Sequence, residues 1–294
     1  MLQTLTPSVD TAAAAELAES CAASLAAIAE RAPRVHCLTN PVAMTLTANV
    51  LLAVGARPSM TQTPDQLGEF IAASDTLCVN LGMLDEARQQ GIDQALTAAA
   101  QHAVPWVLDP VKVHLSATRR RYAQDLLARQ PAVIRANQRE FAALLDSQSA
   151  TDTTDIDAGL QQLAHQQGCV IACTGTVDRL CDGRRQFAIA GGDPMLARMV
   201  ALGCALSALL AAFLAVQDDP LLASAQALLA MKTAGQQAAA QSPGPGTLAV
   251  RVLDELYTLT PERVLQRVDS LEPEPALTLD IDGQTPRWFA ARAL

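Results

Sequence analysis

The chain has 294 residues, half of them hydrophobic and only 3% aromatic, and its formal net charge is −9. This length and apolar content are sufficient for a large core built mainly from alanine, leucine and valine. The acidic balance argues against a nucleic-acid-binding surface and against attachment to an anionic membrane.

The N-terminal segment is rich in alanine from Thr11 to Ala29 and at first sight looks like a secretory signal. Glu16, Glu19 and Glu30 interrupt it and no basic residue precedes it, so we reject that interpretation. The chain has seven cysteines and no Cys-x-x-Cys pair, which is typical of reduced thiols in a cytoplasmic protein. No apolar run is long enough to cross a membrane without meeting a charge or a proline.

Short apolar runs alternate with helical patterns through the first 175 residues. The predicted strands are Val35–Thr39, Thr76–Leu81, Trp106–Asp109, Ala132–Asn137 and Cys169–Gly175. The predicted helices are Ala43–Val54, Pro64–Ala73, Asp85–Ala103, Ala117–Arg129, Arg139–Leu145 and Ile156–Gln167. This alternation predicts βαβ units and a parallel sheet.

Each predicted strand ends in a polar residue or a turn. These end residues are Asn40, Asn80, Asp109, Asn137 and Thr174. One such residue is ordinary, because turns favour asparagine, aspartate and glycine. Five in corresponding positions predict a binding site, since ligands of parallel sheets bind at the carboxyl ends of the strands.

The segment Met199–Phe213 is the most informative part of the chain. A short turn leads into an almost wholly apolar helix, and Cys204 lies in the first turn of that helix. Unpaired N–H groups and the helix dipole make such an end a site for an anion, and a thiol placed there ionises more easily. The alternative is that Cys204 is a small buried residue and Gly203 permits close helix packing.

The remainder of the chain is predicted to be helical and then to end in a tail. The predicted helices are Pro220–Gln241, Thr247–Tyr257 and Pro261–Val268. Residues 242–246 contain two prolines and two glycines and separate the first two helices. We expect a single domain over residues 1–269 and a C-terminal tail over 270–294, with Trp288 and Phe289 as candidate docking groups.

An ordered set of motifs resembles the hydroxyethylthiazole kinases over about residues 15–265. The matching segments are Val35–Asn40, Thr47–Met60, Asp109–Val111, Ile134–Asn137 with Glu140, Thr174–Gly175 with Val177–Asp178, Gly191–Pro194, Gly203–Ala208 and Gly244–Gly246. Each motif is weak by itself, whereas the ordered set is specific.

The resemblance implies a fold, an activity and an assembly. The fold is α/β, a ribokinase-like three-layer sandwich with a mostly parallel central sheet flanked by helices. The activity is transfer of the γ-phosphoryl group of ATP to the hydroxyl of 4-methyl-5-(2-hydroxyethyl)thiazole, a salvage step toward thiamine. Mg²⁺ and a homotrimer with the thiazole site between subunits are implied as well.

The resemblance also implies roles for positions that match the family's motifs. The positions assigned to the thiazole alcohol are Asn40, Met60 and Ala201. Those assigned to ATP are Arg135 and Thr174, and those assigned to Mg²⁺ are Asp109, Asn137 and Glu140.

Gly203 and Cys204 are the candidate catalytic positions. The N–H groups from Gly203 onward are suited to donate to the transferring oxygens. Cys204 lies where related sugar kinases keep an aspartate, and it would orient or deprotonate the alcohol. An ordinary thiol pKa of about 8.5 makes it a poor base unless the helix end lowers that value.

Several positions near this site depart from the family pattern. Ala201 and Leu202 stand where the family has glycine followed by a small residue, and an alanine in a left-handed conformation costs about 1–2 kcal/mol. Pro41, Met83 and residues 112–115 are also unusual. These departures leave two alternatives open, namely a kinase for another small alcohol and a protein that binds a thiazole or a nucleotide without transferring phosphate.

Overall fold

The computed structural model describes residues 11–145, 156–260, 262–264 and 287–289. The helices are α1 Thr11–Arg31, α2 Met44–Ala53, α3 Pro64–Ala72, α4 Glu86–Gln101, α5 Ala117–Leu127, α6 Gln138–Leu144, α7 Ile156–Gln167, α8 Leu202–Leu214, α9 Pro220–Ala240 and α10 Pro245–Tyr257. The strands are β1 Arg34–Leu38, β2 Arg57–Ser59, β3 Thr76–Asn80, β4 Trp106–Asp109, β5 Val133–Asn137, β6 Val170–Thr174, β7 Asp178–Cys181, β8 Gln186–Ile189 and β9 Arg287–Phe289.

The strands form one sheet in the order β2-β1-β3-β4-β5-β6-β7-β8-β9. The strands from β2 to β6 are parallel, whereas β7 is antiparallel to both of its neighbours. Because parallel strands end at one edge, the polar end residues are brought into line, with Asn80 opposite Asp109 and Asn137 opposite Thr174. The predicted mostly parallel sheet is therefore confirmed.

Alternate strand residues point to opposite faces of the sheet and contribute to two apolar layers. In β4, Val107 joins a layer with α1, α2, α8, α9 and α10, and Leu108 joins a layer with α3 to α7. Helices thus cover both faces of the sheet, which confirms the three-layer arrangement.

Four strands, β2, β7, β8 and β9, were not predicted from the sequence, and each is only three or four residues long. The edge strand β2 is three residues long and contains Pro58, while β7 begins with Asp178 and Arg179. The strand β9 lies within the predicted tail and pairs in parallel with β8 at the sheet edge. Of the predicted helix at residues 261–268, the described part (262–264) is helical, and the rest lies outside the described residues.

Helix α8 is buried on nearly all sides and packs against α2, α9, β3 and β4. A helix that is apolar all round belongs in a protein interior. Its first residue follows Ala201, which adopts a left-handed conformation with φ 66°. Although α8 is strongly apolar, none of the helices among the described residues has the length and hydropathy needed to cross a membrane.

Candidate functional site

Three strand ends are joined by a row of side-chain hydrogen bonds. Asn40 Nδ2 donates to Asn80 Oδ1 at 3.0 Å, and Asn80 Nδ2 donates to Asp109 Oδ2 at 2.7 Å. All three side chains are buried. We call Asn40, Asn80 and Asp109 the polar chain. It leads to the start of α8, because Asn40 Nδ2 also lies 3.7 Å from Cys204 Sγ.

Gly82 allows the polar chain to be this compact. Its N–H donates to Asn80 Oδ1 at 2.9 Å. A Cβ atom at this position would lie 2.7 Å from Asn40 Nδ2 and 2.9 Å from Asn80 Oδ1, which is closer than real Cβ contacts. A larger residue at Gly82 would therefore displace both asparagines.

Arg135 extends this row from β4 to β6. Its Nη1 lies 3.8 Å from Asp109 Oδ1, and its Nη2 donates to Thr174 Oγ1 at 2.7 Å. Burial raises the pKa of Asp109 to about 6, opposed by the charge of Arg135 and assisted by that of Glu140. At neutral pH, Asp109 is a buried carboxylate whose principal counter-charge is Arg135.

The guanidinium of Arg135 lies against the first turn of α8. A Cβ atom on Gly203 would lie 2.7 Å from Arg135 Nη1 and 3.0 Å from Nη2, so this close approach requires glycine. A helix N-terminus carries partial positive charge and unpaired N–H groups. Two sources of positive potential therefore meet at Gly203, as an anion-binding site requires.

A cavity of about 590 Å³ opens beside this point. Its walls come from β6, the segment after β8, the start of α8 and the middle of α9, and include Arg135, Thr174, Leu202, Gly203 and Lys232. Leu202 lies in the wall and leaves the cavity open. A smaller cleft of about 370 Å³ is lined by Pro41, Gln62, Met83 and Arg88 among others.

Comparison with known proteins identifies the family of this chain. A model described as the hydroxyethylthiazole kinase family matches residues 25–262. The chain belongs to the hydroxyethylthiazole kinase family. It is 43% identical to a hydroxyethylthiazole kinase of Pectobacterium carotovorum over 82% of this chain and 94% of the relative, and 42% identical to that of Serratia proteamaculans over the same shares.

Solved structures agree with this assignment. The hydroxyethylthiazole kinase protein of Pyrococcus horikoshii OT3 has a TM-score of 0.79 and 34% identity over 84% of this chain and 96% of that one. A ribokinase-like superfamily protein of Enterococcus faecalis matches with a TM-score of 0.63 over 84% of this chain and 95% of its own. Because its identity is only 13%, that match shows the fold alone. The predicted ribokinase-like fold is thus confirmed.

In this hydroxyethylthiazole kinase family member, the expected acidic thiol is absent. Burial raises the pKa of Cys204 to about 11, and the nearby charge of Asp109 raises it further, whereas Asn80, Arg135 and Asn40 oppose the change. The expectation that the helix end lowers this pKa was therefore wrong. Near pH 7 the side chain is a neutral thiol, which is a donor and weak acceptor rather than a base.

The two polar residues at the end of β5 form a helix cap. Asn137 Oδ1 accepts from the N–H groups of Arg139 and Glu140, and Glu140 Oε2 accepts from the Asn137 N–H at 3.0 Å. Glu140 Oε1 accepts from the Lys112 N–H at 2.8 Å and so fixes the turn after β4. These contacts commit the side-chain oxygens of both candidate metal ligands to backbone N–H groups, and the charge of Glu140 helps to raise the pKa of Asp109.

The candidate ligands of Mg²⁺ are Asp109, Asn137 and Glu140. Within the described ranges, no group of three or more His, Cys, Asp and Glu side chains is gathered as a cage. Mg²⁺ commonly binds through one or two carboxylates together with water and substrate phosphates. Asp109 Oδ1 is a buried oxygen without a hydrogen-bond partner. Asp109 therefore fits an ion that is shared with a phosphate-bearing substrate, whereas the side-chain oxygens of Asn137 and Glu140 already accept from backbone N–H groups.

The remaining predicted residues lie at the same edge of the sheet. Ala201 is the N-cap of α8 and Thr174 ends β6, so both adjoin the candidate site. Met60 follows β2, is half-buried and packs against the hydrophobic core. It does not line either of the two cavities described above. Its assignment to the thiazole stays a prediction.

Arg88 is a site residue that the sequence did not reveal. Its guanidinium donates to the carbonyl oxygens of Thr39 at 2.8 Å and Asn80 at 2.9 Å, and to Gln62 Oε1 at 3.0 Å. It therefore holds together the ends of β1 and β3, which carry the polar chain. Since its partners are mostly backbone atoms, no residue pattern could have indicated it.

Proposed function

We propose that this chain transfers the γ-phosphoryl group of ATP to the hydroxyl of 4-methyl-5-(2-hydroxyethyl)thiazole. The observation that carries the proposal is the meeting of Arg135 and the α8 N-terminus at Gly203, between the polar chain and the large cavity. Family membership and the names of the relatives support the same substrates.

The large cavity is the proposed nucleotide site. Arg135 and Thr174 lie in its wall and are bonded to each other, so a phosphate that approaches Arg135 also meets the Thr174 hydroxyl. A guanidinium offers several donors in a fixed plane, which suits phosphate oxygens. The γ-phosphate would then lie against the N–H groups that begin α8.

The polar chain is the proposed site of the alcohol. Asn40 and Cys204 lie 3.7 Å apart and present uncharged polar groups, which suit a neutral hydroxyl. Phosphoryl transfer depends mainly on positioning and on stabilisation of charge, so a neutral thiol suffices as an orienting group. Asp109, which holds Arg135 in place, would also hold Mg²⁺. When bound, Mg²⁺ neutralises phosphate charge.

Turnover of the purified chain tests this proposal. With ATP, MgCl₂ and the thiazole alcohol, we expect ADP and the phosphorylated thiazole in equal amounts, measured by mass spectrometry. The matched control is the Arg135→Ala/Cys204→Ala double variant, and a mixture without alcohol measures background hydrolysis of ATP. Equal rates for the natural chain and the double variant would refute the proposal.

A panel of primary alcohols tests the identity of the acceptor. Pro41 and Met83 depart from the family pattern and line the 370 Å³ cleft next to the polar chain. If another alcohol is phosphorylated with a kcat/KM at least ten times higher, the transfer chemistry stands and the thiazole is replaced as substrate. Binding of ATP without any transfer would favour a non-catalytic protein.

We further propose a homotrimer in the cytoplasm. All seven cysteines are free thiols, which supports a reducing compartment.

Large apolar side chains, which bear on the proposed trimer, are exposed in the loops after β1, β3 and β4, at Val42, Met83 and Leu115. Such side chains beside a site support a subunit contact there. Sedimentation at several concentrations would give the mass of three chains, and a single-chain mass would exclude the assembly.

A further inference from the structure

Lysine is rare in this chain and occurs only at the candidate site. Of its 21 basic residues, only Lys112 and Lys232 are lysines. Lys112 lies in the turn after β4 and donates its N–H to Glu140. Lys232 lies in α9, is 7% exposed and lines the large cavity. The role of Lys232 is not explained by the transfer step described above.

The ammonium group of Lys232 joins three separate segments of the chain. Nζ donates to the carbonyl oxygens of Gly191 at 2.8 Å, Thr176 at 3.1 Å and Gly175 at 3.3 Å. It also lies 3.3 Å from Asp178 Oδ2. Asp178 Oδ1 in turn accepts from the Gly175 N–H at 2.9 Å. The pair thus connects α9 to the β6–β7 turn, to β7 and to the segment after β8.

These same segments form the wall of the cavity. Gly175, Thr176, Asp178 and Gly191 all line it, together with Lys232 itself. Gly191 has φ 94°, a conformation that side chains rarely adopt, and it offers no side chain to hold its own position. The shape of this wall therefore depends on the bonds to Lys232.

The chemistry of the site explains why a lysine is used. Backbone carbonyls and a carboxylate converge on one point, and a compact ammonium with three rotatable donors can serve several of them. A planar guanidinium has a fixed fork and cannot replace this arrangement. A buried charge is costly unless it is paired and hydrogen-bonded, so a residue kept only for packing would be apolar.

We propose that Lys232 and Asp178 are positioning residues that set the shape of the nucleotide cavity and thereby the affinity for ATP. This inference rests on the proposed function, in which the large cavity holds ATP. Neither residue needs to touch the transferred group. The pair acts through the backbone of Gly175, Thr176 and Gly191, which lines the cavity.

Steady-state kinetics of Lys232 variants test this inference. For Lys232→Met and Lys232→Arg, we expect the KM for ATP to rise about tenfold, which corresponds to about 1.4 kcal/mol. The KM for the thiazole alcohol should stay within about twofold, because the polar chain is untouched. Calorimetric titration with the β,γ-methylene analogue of ATP should show the same loss of affinity.

The control variant is Asp219→Asn. Asp219 caps α9, the helix that carries Lys232, and lies about 20 Å from that lysine. The substitution removes the ion pair of Asp219 with Arg185, and asparagine at this position still caps the helix. We expect wild-type values of both KM constants. Lys232→Met/Asp178→Asn removes both buried charges together, so this double variant is used if the single variants do not fold.

Three results would overturn the inference. These are an unchanged KM for ATP in a folded double variant, equal rises in both KM constants, and a double variant that does not fold, since the pair would then serve only the fold. These results differ from a failure of the proposed function. In that case the natural chain itself would neither phosphorylate the thiazole alcohol nor bind the ATP analogue.

Discussion

The two halves of the candidate site differ in charge and in origin. The polar chain lies at the ends of β1, β3 and β4 and presents two asparagine side chains beside a neutral thiol, with the carboxylate of Asp109 turned to Arg135. The opposite half, which we call the cation wall, consists of Arg135 from β5 and Lys232 from α9, held by Thr174 and Asp178. One half thus suits a neutral alcohol and the other suits a polyanion.

This difference shows how an acidic chain handles phosphate. The net charge is −9, so the field of the whole molecule does not attract a nucleotide. Positive charge is concentrated at one wall and reinforced by the start of α8. Each cation of the wall is paired with a carboxylate, which holds it in place without exposing negative charge, since Asp109 and Asp178 are both buried.

The largest expected effect is on the cation wall. Arg135→Met removes the planar donor group at Gly203 and leaves Asp109 without its main counter-charge, so we expect kcat/KM to fall about 1,000-fold. Arg135→Lys keeps the charge but loses the fork and should recover part of this activity. Initial rates of ADP release measure both. A loss below about tenfold for Arg135→Met would show that the cation wall does not stabilise the transferred phosphate.

The next effect is expected on the polar chain. Asn80→Ala removes the acceptor of the Gly82 N–H and of Asn40 Nδ2 and the donor to the buried Asp109 Oδ2. It should cost about 2 kcal/mol of unfolding free energy and about 100-fold in kcat/KM. Urea unfolding and initial rates measure these values. Gln90→Ala removes an exposed amide from α4 as a control. Wild-type kinetics in Asn80→Ala would contradict a role for the chain in the reaction.

Asp109 connects the two halves, and its raised pKa predicts a specific pH dependence. Because the folded pKa of about 6 exceeds the ordinary value of 3.8, folding favours the protonated form. The free energy of unfolding of the natural chain, relative to Asp109→Asn, should therefore increase by about 2 kcal/mol as the pH falls from 8 to 4.

Activity should change in the opposite direction. Protonation of Asp109 removes the counter-charge that orients Arg135, so kcat/KM of the natural chain should fall as the pH falls through about 6. Denaturation and rate profiles between pH 4 and pH 8 measure both effects. A relative stability that is constant over this range would show that burial does not raise the pKa of Asp109.

The smallest effect is expected at Cys204. Since burial raises its pKa to about 11, the thiol is not a base near pH 7, and Cys204→Ala should lower kcat by no more than about fivefold. Cys204→Ser, which restores a polar group, serves as the matched variant. A loss of about 1,000-fold in Cys204→Ala, with the fold intact by circular dichroism, would show that the thiol takes part in proton transfer.

The sequence was sufficient to predict the sheet and the edge at which the site lies. Apolar runs that end in Asn80, Asp109, Asn137 and Thr174 predict buried parallel strands. The structure places Asn80 opposite Asp109 and Asn137 opposite Thr174. The strands β2 and β7 were missed because a proline or charged residues interrupt their apolar pattern, and β8 was missed although residues 187–189 are apolar. Their formation depends on pairing with neighbours, which is a tertiary effect.

Details of the site could not be predicted where they depend on burial or on backbone partners. The pKa of Cys204 was predicted in the wrong direction, because a sequence motif shows the helix end but not the loss of water around it. Arg88 and Lys232 bond mainly to carbonyl oxygens, which every residue carries. The left-handed conformation of Ala201 was anticipated only because the family has a glycine at this position, and not from the local residues.

A crystal structure with the β,γ-methylene analogue of ATP and the thiazole alcohol would show whether phosphate and alcohol meet at Gly203. We expect the γ-phosphate within hydrogen-bond distance of the Arg135 guanidinium and of the N–H groups that begin α8, with the alcohol oxygen between it and Asn40. A γ-phosphate bound away from Gly203, or a Leu202 side chain that occupies its place, would rule out phosphoryl transfer at this point.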